Sequence, residues 1–502
     1  VMEYVLGIDN GGTTTKAAVF DLKGNQIASA GRQTRMITPK PGYTERDMEE
    51  LWKTNCECIR SAVEKSGIEP RRIVGAAVCG HGKGLYPWGK DGAPACNGII
   101  STDGRAWEYP LRWKETGVTQ ALYPKLCQNI MACQQVSLLA WLKDHDRAVY
   151  DSIQWVFSVK DYIRFRLTGE AYSEMTDISG SGLINVRDAC FDREILERFG
   201  IGEVYEKLPP LCRSCDVCGR ITPQAARECG LAEGTPVAGG MFDIDACALA
   251  MHVTTPEEMC TITGTWSINE FISEKPITDG TIAMNSLYAI PGYYLEEECS
   301  ATSAGNLEWL IRTVMDGFVP PDGKRIYDYL DDLVRSVPPE ECNVYFLPFL
   351  YGCNTHPLGK AAFVGLTEFH TRAHLARAVY EGVAFSHKMH VERLLKARKR
   401  PKAIRMGGGA VNSEVWVRMF ADVLDLPVET IRVKELGALG SAMAAAVAAG
   451  KFRDYREAAD EMVHIGGTVG PDPTAAETYR EKYETYARIC DALDQVWDRF
   501  RV

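Results

Sequence analysis

The opening of the chain constrains its fold more than any other segment, because two apolar runs flank a glycine turn. Tyr4 to Ile8 is apolar, Asp9-Asn10-Gly11-Gly12 turns, and apolar residues resume around Ala17 to Phe20 before Asp21-Leu22-Lys23-Gly24-Asn25 turns again. Such runs, bounded by Gly, Asn and Asp, predict a β-hairpin. Strand, glycine turn, strand is the wrong order for a dinucleotide or P-loop site, where the glycines lead into a helix. Both of those readings fall away.

The turn carries chemistry as well as shape. Asp9 through Lys16 places a carboxylate, two glycines, three threonines and a lysine side by side. Gly11, Gly12, Thr13 and Thr14 can expose backbone N–H groups to phosphate oxygens, and Asp9 can hold a hydrated magnesium ion. Taken alone, a hairpin whose glycines merely satisfy positive φ explains the turn equally well.

The rest of the chain alternates. A helix is predicted from about Asp47 to Lys65 and a strand through Ile73 to Val78, ending in Cys79-Gly80-His81-Gly82-Lys83-Gly84. Another apolar strand with a double glycine, GTPVAGGMFD, runs to Asp243, and MCTITGTW at Met259 to Trp266 repeats the pattern of the opening. The class is therefore α/β. A chain of 502 residues can bury more than one core. The second glycine-threonine turn at Gly264-Thr265 hints at internal duplication and places a boundary between Ala250 and Glu258, giving domains 1–252 and 253–502. A boundary near the Pro-rich Val319 to Gly323 would split a phosphate turn from its own domain. With no long linker, the halves are expected to meet across a cleft.

Composition narrows the partners. A formal net charge of −11, with Lys and Arg scattered through the chain, leaves no basic stripe for nucleic acid. The first apolar run is too short for a signal-peptide core or a membrane span, and the Ala- and Gly-rich Gly437 to Gly450 reads as a packed helix. A cytoplasmic protein is expected, and seventeen cysteines sitting mostly singly suit a reducing compartment. Cys212, Cys215 and Cys218 lack a fourth metal ligand at suitable spacing and read as surface-loop thiols.

Two further constellations stand out. Arg405-Met406-Gly407-Gly408-Gly409-Ala410-Val411-Asn412 lies between an apolar strand and a helical pattern at Val415 to Leu424, where glycines let a flat ring approach the backbone. A close strand–helix crossing would use glycine in the same way. Asp243 ends an apolar strand and begins the small-residue run Ala246 to Ala250, a place where a carboxylate can accept a hydroxyl proton. A helix-capping Asp has the same appearance, and on spacing alone Asp243 and Asp245 cannot be separated.

In order, LGIDNGGTTTK, AGGMFDIDACALA, TGTWS, FLPFLYG and MGGGAVNSEVW resemble the FGGY carbohydrate kinases, and AAFVGLTEFHTRAHLARAVYEG at Ala361 to Gly382 fits the second signature of that family. The resemblance runs from Leu6 to about Ala446. Two departures concern the subfamily: Leu138 stands where the first signature has Lys three residues before Trp141, and FLPFLYGCNTHP lacks a Glu-Arg after the glycine. The resemblance implies two actin/hexokinase-like (ribonuclease H-like) domains closing on a small sugar and ATP with Mg2+. It assigns Asp243 as the base and leaves Asp245 a neighbour. Asp9 to Thr14 with Lys16, and Gly264-Thr265, become the two phosphate turns. Gly408, Gly409 and Asn412 become the adenosine pocket, and Asp9 the metal ligand.

GHGKG and STDGR fall where the family places substrate contacts, which implies His81, Gly82, Lys83, Asp103 and Arg105, with Asp243, as sugar-binding residues. For Asp103-Gly104-Arg105 the bland alternative is a turn closed by a local ion pair. GYTERDMEELW, GHGKGLY, STDGRA, TSAGNLEWL and FLPFLYG look most like the L-xylulose/3-keto-L-gulonate kinase branch, so a ketopentose or its acidic relative is the expected substrate. The alternatives are another substrate of the family, such as D-xylulose, ribulose, glycerol or gluconate, and a non-catalytic sugar sensor on the same fold, against which Asp243 argues. A membrane partner is not expected, and a homodimer is compatible with the resemblance.

Overall fold

The computed structural model describes residues 2–500 apart from 354 and 357, two positions of the FLPFLYGCNTHP motif that lie outside the described residues. The chain forms two compact units. The first comprises Val1–Thr255, Ile272–Glu296 and Glu435–His464; the second comprises Pro256–Phe271, Glu297–Lys434 and Ile465–Val502.

In the first unit a sheet runs in the order Val217–Arg220, Pro236–Ala238, Ile73–Gly80, Tyr4–Asn10, Thr14–Asp21, Gln26–Gln33, with Met241–Phe242 also pairing with Ile73–Gly80. Tyr4–Asn10 and Thr14–Asp21 form the expected hairpin, register Tyr4↔Asp21 to Asn10↔Thr15, and Ile73–Gly80 lies parallel to the first of them. The central strand is apolar on both faces because both are covered. The helix Met48–Ser66 is started by Asp47, whose side chain accepts from the Glu50 N–H, and stopped by the left-handed Gly67. It buries Met48, Leu51, Trp52, Asn55, Ile59, Ala62 and Val63, a stripe at helical spacing. The Ala- and Gly-rich stretch is the helix Leu436–Ala448, buried over most of its length against Tyr4–Asn10 and Ile73–Gly80.

The sheet of the second unit includes, in order, Tyr294–Ser300, Ser267–Ser273, Met259–Thr263, Ile404–Gly408, Val428–Ile431 and Ile465–Val469. Met259–Thr263 and Ser267–Ser273 make a hairpin, Ile404–Gly408 lies parallel to the first of these, Val428–Ile431 is parallel again, and Ile465–Val469 closes antiparallel. This is the strand order of the first sheet. The repeat sensed between the two glycine-threonine turns is a repeat of topology.

Cys212 and Cys218 are not surface thiols: both are buried, at 5% and 1% exposure, and only Cys215 of the three is partly exposed. They belong to Leu211–Cys212 and Val217–Arg220, strands whose turn is held by Asp216 Oδ2 accepting from the Arg213 N–H. Among the described residues no cluster of three or more His, Cys, Asp or Glu side chains is placed to hold a metal, and no helix is long and apolar enough to cross a membrane.

Candidate active site

Three parallel strands of the first unit end together. Asp9 pairs with Cys79, and Cys79 with Met241, so the segments that follow leave the sheet at one edge: Asn10-Gly11-Gly12, His81-Gly82-Lys83 and Asp243. The His81 N–H donates to the Asn10 carbonyl at 2.9 Å, and the Phe242 ring packs over Gly82, 2.4 Å from where a β-carbon would stand. In open α/β sheets this carboxyl edge is where ligands bind.

The geometry separates the two carboxylates that spacing could not. Asp243 is the first residue of the helix Asp243–Ala250 and is partly exposed; the cap position is Phe242, so no side chain caps this helix. Asp245 is fully buried, and its Oδ1 accepts from the Ala289 N–H at 3.0 Å. Asp245 is packed inside the fold, whereas Asp243 is partly exposed where the strands end. The kink before it depends on Gly240, left-handed at φ 77°, where a β-carbon would stand 1.9 Å from the Val78 carbonyl oxygen.

At the first turn the Gly11 N–H donates to the Thr14 carbonyl at 3.0 Å, and Arg46 donates to the carbonyls of Gly11 and Gly12. Beneath it Thr15, Asn10 and Asn55 form a buried hydrogen-bonded cluster. Neither Gly11 nor Gly12 has positive φ, and no atom lies within 4 Å of a β-carbon built on Gly12. Positive φ therefore does not explain these glycines: a β-carbon on Gly11 would stand 3.3 Å from the Thr14 carbonyl oxygen, and the space over Gly12 is open. Thr13 is exposed, Thr14 partly so, and Lys16 Nζ pairs with Glu435 at 2.9 Å.

Asp9 Oδ1 is buried without a hydrogen-bond partner, and burial pushes the Asp9 carboxyl up to about 6 against the pull of Lys16. An unsatisfied carboxylate oxygen beside an open glycine turn fits a hydrated divalent cation, which takes few protein ligands when it is magnesium. The pH dependence follows from linkage. The folded chain holds this proton to about pH 6 and the unfolded chain only to 3.8, so stability falls as pH rises through that window. Asp9→Asn is expected to gain on the order of 1–3 kcal/mol at pH 7.5 and to lose that gain near pH 4. Thermal melts of both forms at the two pH values check this; equal melting temperatures at pH 7.5 refute the strain.

Among the residues expected to meet sugar, His81 is buried and neutral, its pKa lowered to about 3 by burial and by Arg46. Its Nδ1–H donates to the Gly82 carbonyl at 3.1 Å, which leaves Nε2 to accept from the Tyr86 hydroxyl at 2.8 Å. Lys83 is left-handed at φ 62° and partly exposed, and for a side chain of that size such backbone strain tends to collect at functional sites. Asp103 and Arg105 hold each other: Arg105 donates to both Asp103 oxygens at 2.9 Å and to Glu45 Oε1 at 2.6 Å, and Thr44 N–H donates to Asp103 Oδ2 at 2.7 Å. The local ion pair offered by the sequence is present. The Arg105 guanidinium also lies 4.4 Å from the Tyr43 ring centre and 5.2 Å from that of Trp141, contacts that sequence reasoning missed.

In the second unit Thr263 pairs with Gly408, so the turns Gly264-Thr265 and Gly409–Asn412 leave the sheet side by side. Gly408 has φ 91°, and a β-carbon there would meet the Thr263 backbone at 2.6 Å, so the close crossing is real at that position. Gly409 and Gly264 are open, the nearest atoms to their β-carbon positions lying at 3.9 Å. Asn412 is exposed, its Nδ2 donating to the Gly409 carbonyl at 3.1 Å, and the helix Glu414–Leu424 begins on the Ser413 cap. Under Gly264 the sequence hid a polar cluster. Fully buried His387 sits 2.9 Å from Thr261 Oγ1, 2.9 Å from Asn269 Oδ1 and 2.8 Å from Ser303 Oγ, while the Ala304 N–H donates to the Gly264 carbonyl at 3.0 Å. Polar residues at every second position of Thr261, Thr263, Ser267 and Asn269 are the signal that could have flagged it.

Two units of one topology, each with an open glycine turn at the carboxyl edge and one with a partly exposed carboxylate beside it, describe a phosphotransferase of the actin/hexokinase-like class. Residues 4–250 match the FGGY family of carbohydrate kinases, N-terminal domain, and residues 259–449 the C-terminal domain of the same family. An L-xylulose/3-keto-L-gulonate kinase of Escherichia coli (strain K12) is 37% identical over 98% of this chain and 97% of its own length. A probable L-xylulose kinase of Pasteurella multocida (strain Pm70) is 35% identical over 98% and 99%. Among solved structures, a xylulose kinase from Rhodospirillum rubrum matches with TM-score 0.86 and 26% identity over 99% of this chain and 100% of the other. A gluconate kinase from Lactobacillus acidophilus matches with TM-score 0.89 and 25% identity over 100% of both. The chain belongs to the FGGY family and is a carbohydrate kinase.

Proposed function

We propose that the chain transfers the γ-phosphoryl group of ATP to the terminal hydroxyl of a ketopentose of the L-xylulose type, with Asp243 as the general base. The observation that carries the base assignment is the contrast between Asp243, partly exposed at a helix start, and Asp245, buried and held by the Ala289 N–H. The sugar hydroxyl oxygen attacks the γ-phosphorus, its proton passes to Asp243, and ADP leaves. Residues 1–252 supply the sugar-facing groups His81, Gly82, Lys83, Asp103 and Arg105 and the first phosphate turn. Residues 253–502 supply Gly264-Thr265 and the adenosine-facing Gly408, Gly409 and Asn412. Magnesium, held through Asp9, would neutralise phosphate charge. Seventeen cysteines, most of them sitting singly in the sequence, fit work in the reducing cytoplasm.

The names of the relatives at 35–37% identity support the substrate class. Lys83 adds a cation able to meet a carboxylate, which also suits a keto-sugar acid such as 3-keto-L-gulonate. Comparing kcat/KM for L-xylulose, D-xylulose, L-ribulose, 3-keto-L-gulonate, glycerol and gluconate tests the assignment. L-xylulose or 3-keto-L-gulonate is expected to lead. A tenfold win for glycerol or gluconate, about 1.4 kcal/mol in transition-state binding, would replace the substrate and leave the kinase.

A further inference from the structure

A ring of buried side chains grips the backbone on both sides of the kink that precedes Asp243. Arg164 Nη1 donates to the Gly239 carbonyl and, at 2.6 Å, to Asp161 Oδ1. Lys160 Nζ lies 2.7 Å from Asp161 Oδ1 and 3.4 Å from Glu174 Oε2. The Thr176 hydroxyl donates to Glu174 Oε2 at 2.7 Å and accepts from the Phe242 N–H at 2.9 Å, which closes the circuit. Lys160, Arg164 and Glu174 have no exposed surface, and Asp161 and Thr176 are only 2% exposed.

Stability alone does not account for such a cluster. Ions withdrawn from water carry a desolvation penalty that their attraction repays only in good geometry, and a packed apolar core of equal volume is often at least as stable. The ring adds something that apolar packing could not. The Gly239 and Gly240 N–H groups are already held by the Asp216 and Ser214 carbonyls, and the ring takes the two groups they leave: the carbonyl at the start of the kink and the N–H just beyond its end, one residue before Asp243.

Resting on the reading of Asp243 as base, we propose that this ring aims the Asp243 carboxylate, with Thr176 as the positioning residue that couples the buried charges to the backbone of Phe242. Misplacing a reacting group by about 1 Å can cost on the order of 10²-fold. Thr176→Val keeps the shape and removes the hydroxyl, so kcat is expected to fall on the order of 10–100-fold with KM for the sugar within about threefold. Thr176→Ser restores kcat, because the hydroxyl returns. In an Asp243→Asn background Thr176→Val adds little to the loss, since groups acting as one unit are not additive.

Near-normal kcat in a folded Thr176→Val, failure of Thr176→Ser to restore it, or a full additional loss on top of Asp243→Asn would each overturn the proposal. Thr176→Ala carries the same comparison if the valine variant does not fold. Turnover that survives Asp243→Asn sinks the base assignment and the positioning role with it. A dead Asp243→Asn beside an unimpaired Thr176→Val sinks the positioning role alone.

Discussion

Asp243→Asn is expected to lower kcat by on the order of 10²–10⁴, the usual worth of a general base, while sugar binding stays within a few-fold of the parent. The amide keeps the size and polarity of the carboxylate but cannot take up the hydroxyl proton. Asp245→Asn is the matched control, because its Oδ1 can go on accepting from the Ala289 N–H, and it should retain most of the turnover. Single-turnover kinetics with calorimetric sugar titration measures both halves of the claim. A near-normal Asp243→Asn together with an inactive Asp245→Asn would exchange the two assignments.

Gly264→Val is expected to weaken ATP binding at least a hundredfold, about 2.8 kcal/mol, in a protein that still folds. The space around Gly264 is what sets this glycine apart. The nearest atom to its β-carbon position is the Trp266 carbonyl oxygen at 3.9 Å, and its φ is not positive, so the unliganded turn tolerates a side chain. The branched side chain would then fill the volume into which phosphate oxygens must come to reach the turn. Gly408→Ala should behave in the opposite way and damage the fold first, because φ 91° and a 2.6 Å approach to Thr263 leave no room. Nucleotide titration alongside a thermal melt distinguishes the two; unchanged ATP affinity in folded Gly264→Val would make that turn structural.

Legibility in the sequence followed the range over which each signal acts. The opening hairpin and the helix Met48–Ser66 were readable because their determinants lie within a few residues: the turn glycines, the Asp47 cap and the apolar stripe. The choice between Asp243 and Asp245 was not, since it turns on the backbone of Ala289, 44 residues further on. The run Val159–Thr168 carries Lys160, Asp161 and Arg164, charges that ordinarily mark a solvated face, and nothing local shows that Glu174 and the Gly239 carbonyl enclose them. Cys212 and Cys218 were misread for the same reason, a turn-rich setting that the fold covers over. His387 sits in an ordinary helical pattern, and its partners Thr261, Ser267 and Asn269 lie on strands more than a hundred residues earlier, with Ser303 84 residues earlier.

The helix Leu436–Ala448 covers strands that are made more than 350 residues before it. Its segment joins the first unit only at Glu435, about 180 residues after that unit's opening stretch ends at Thr255. At ribosomal rates the wait is on the order of 10–40 s. Throughout it, the apolar face of Tyr4–Asn10 and Ile73–Gly80 lacks its cover, so the nascent chain carries exposed apolar surface until the helix arrives. A fragment cut at the obvious midpoint would keep that exposed face for good.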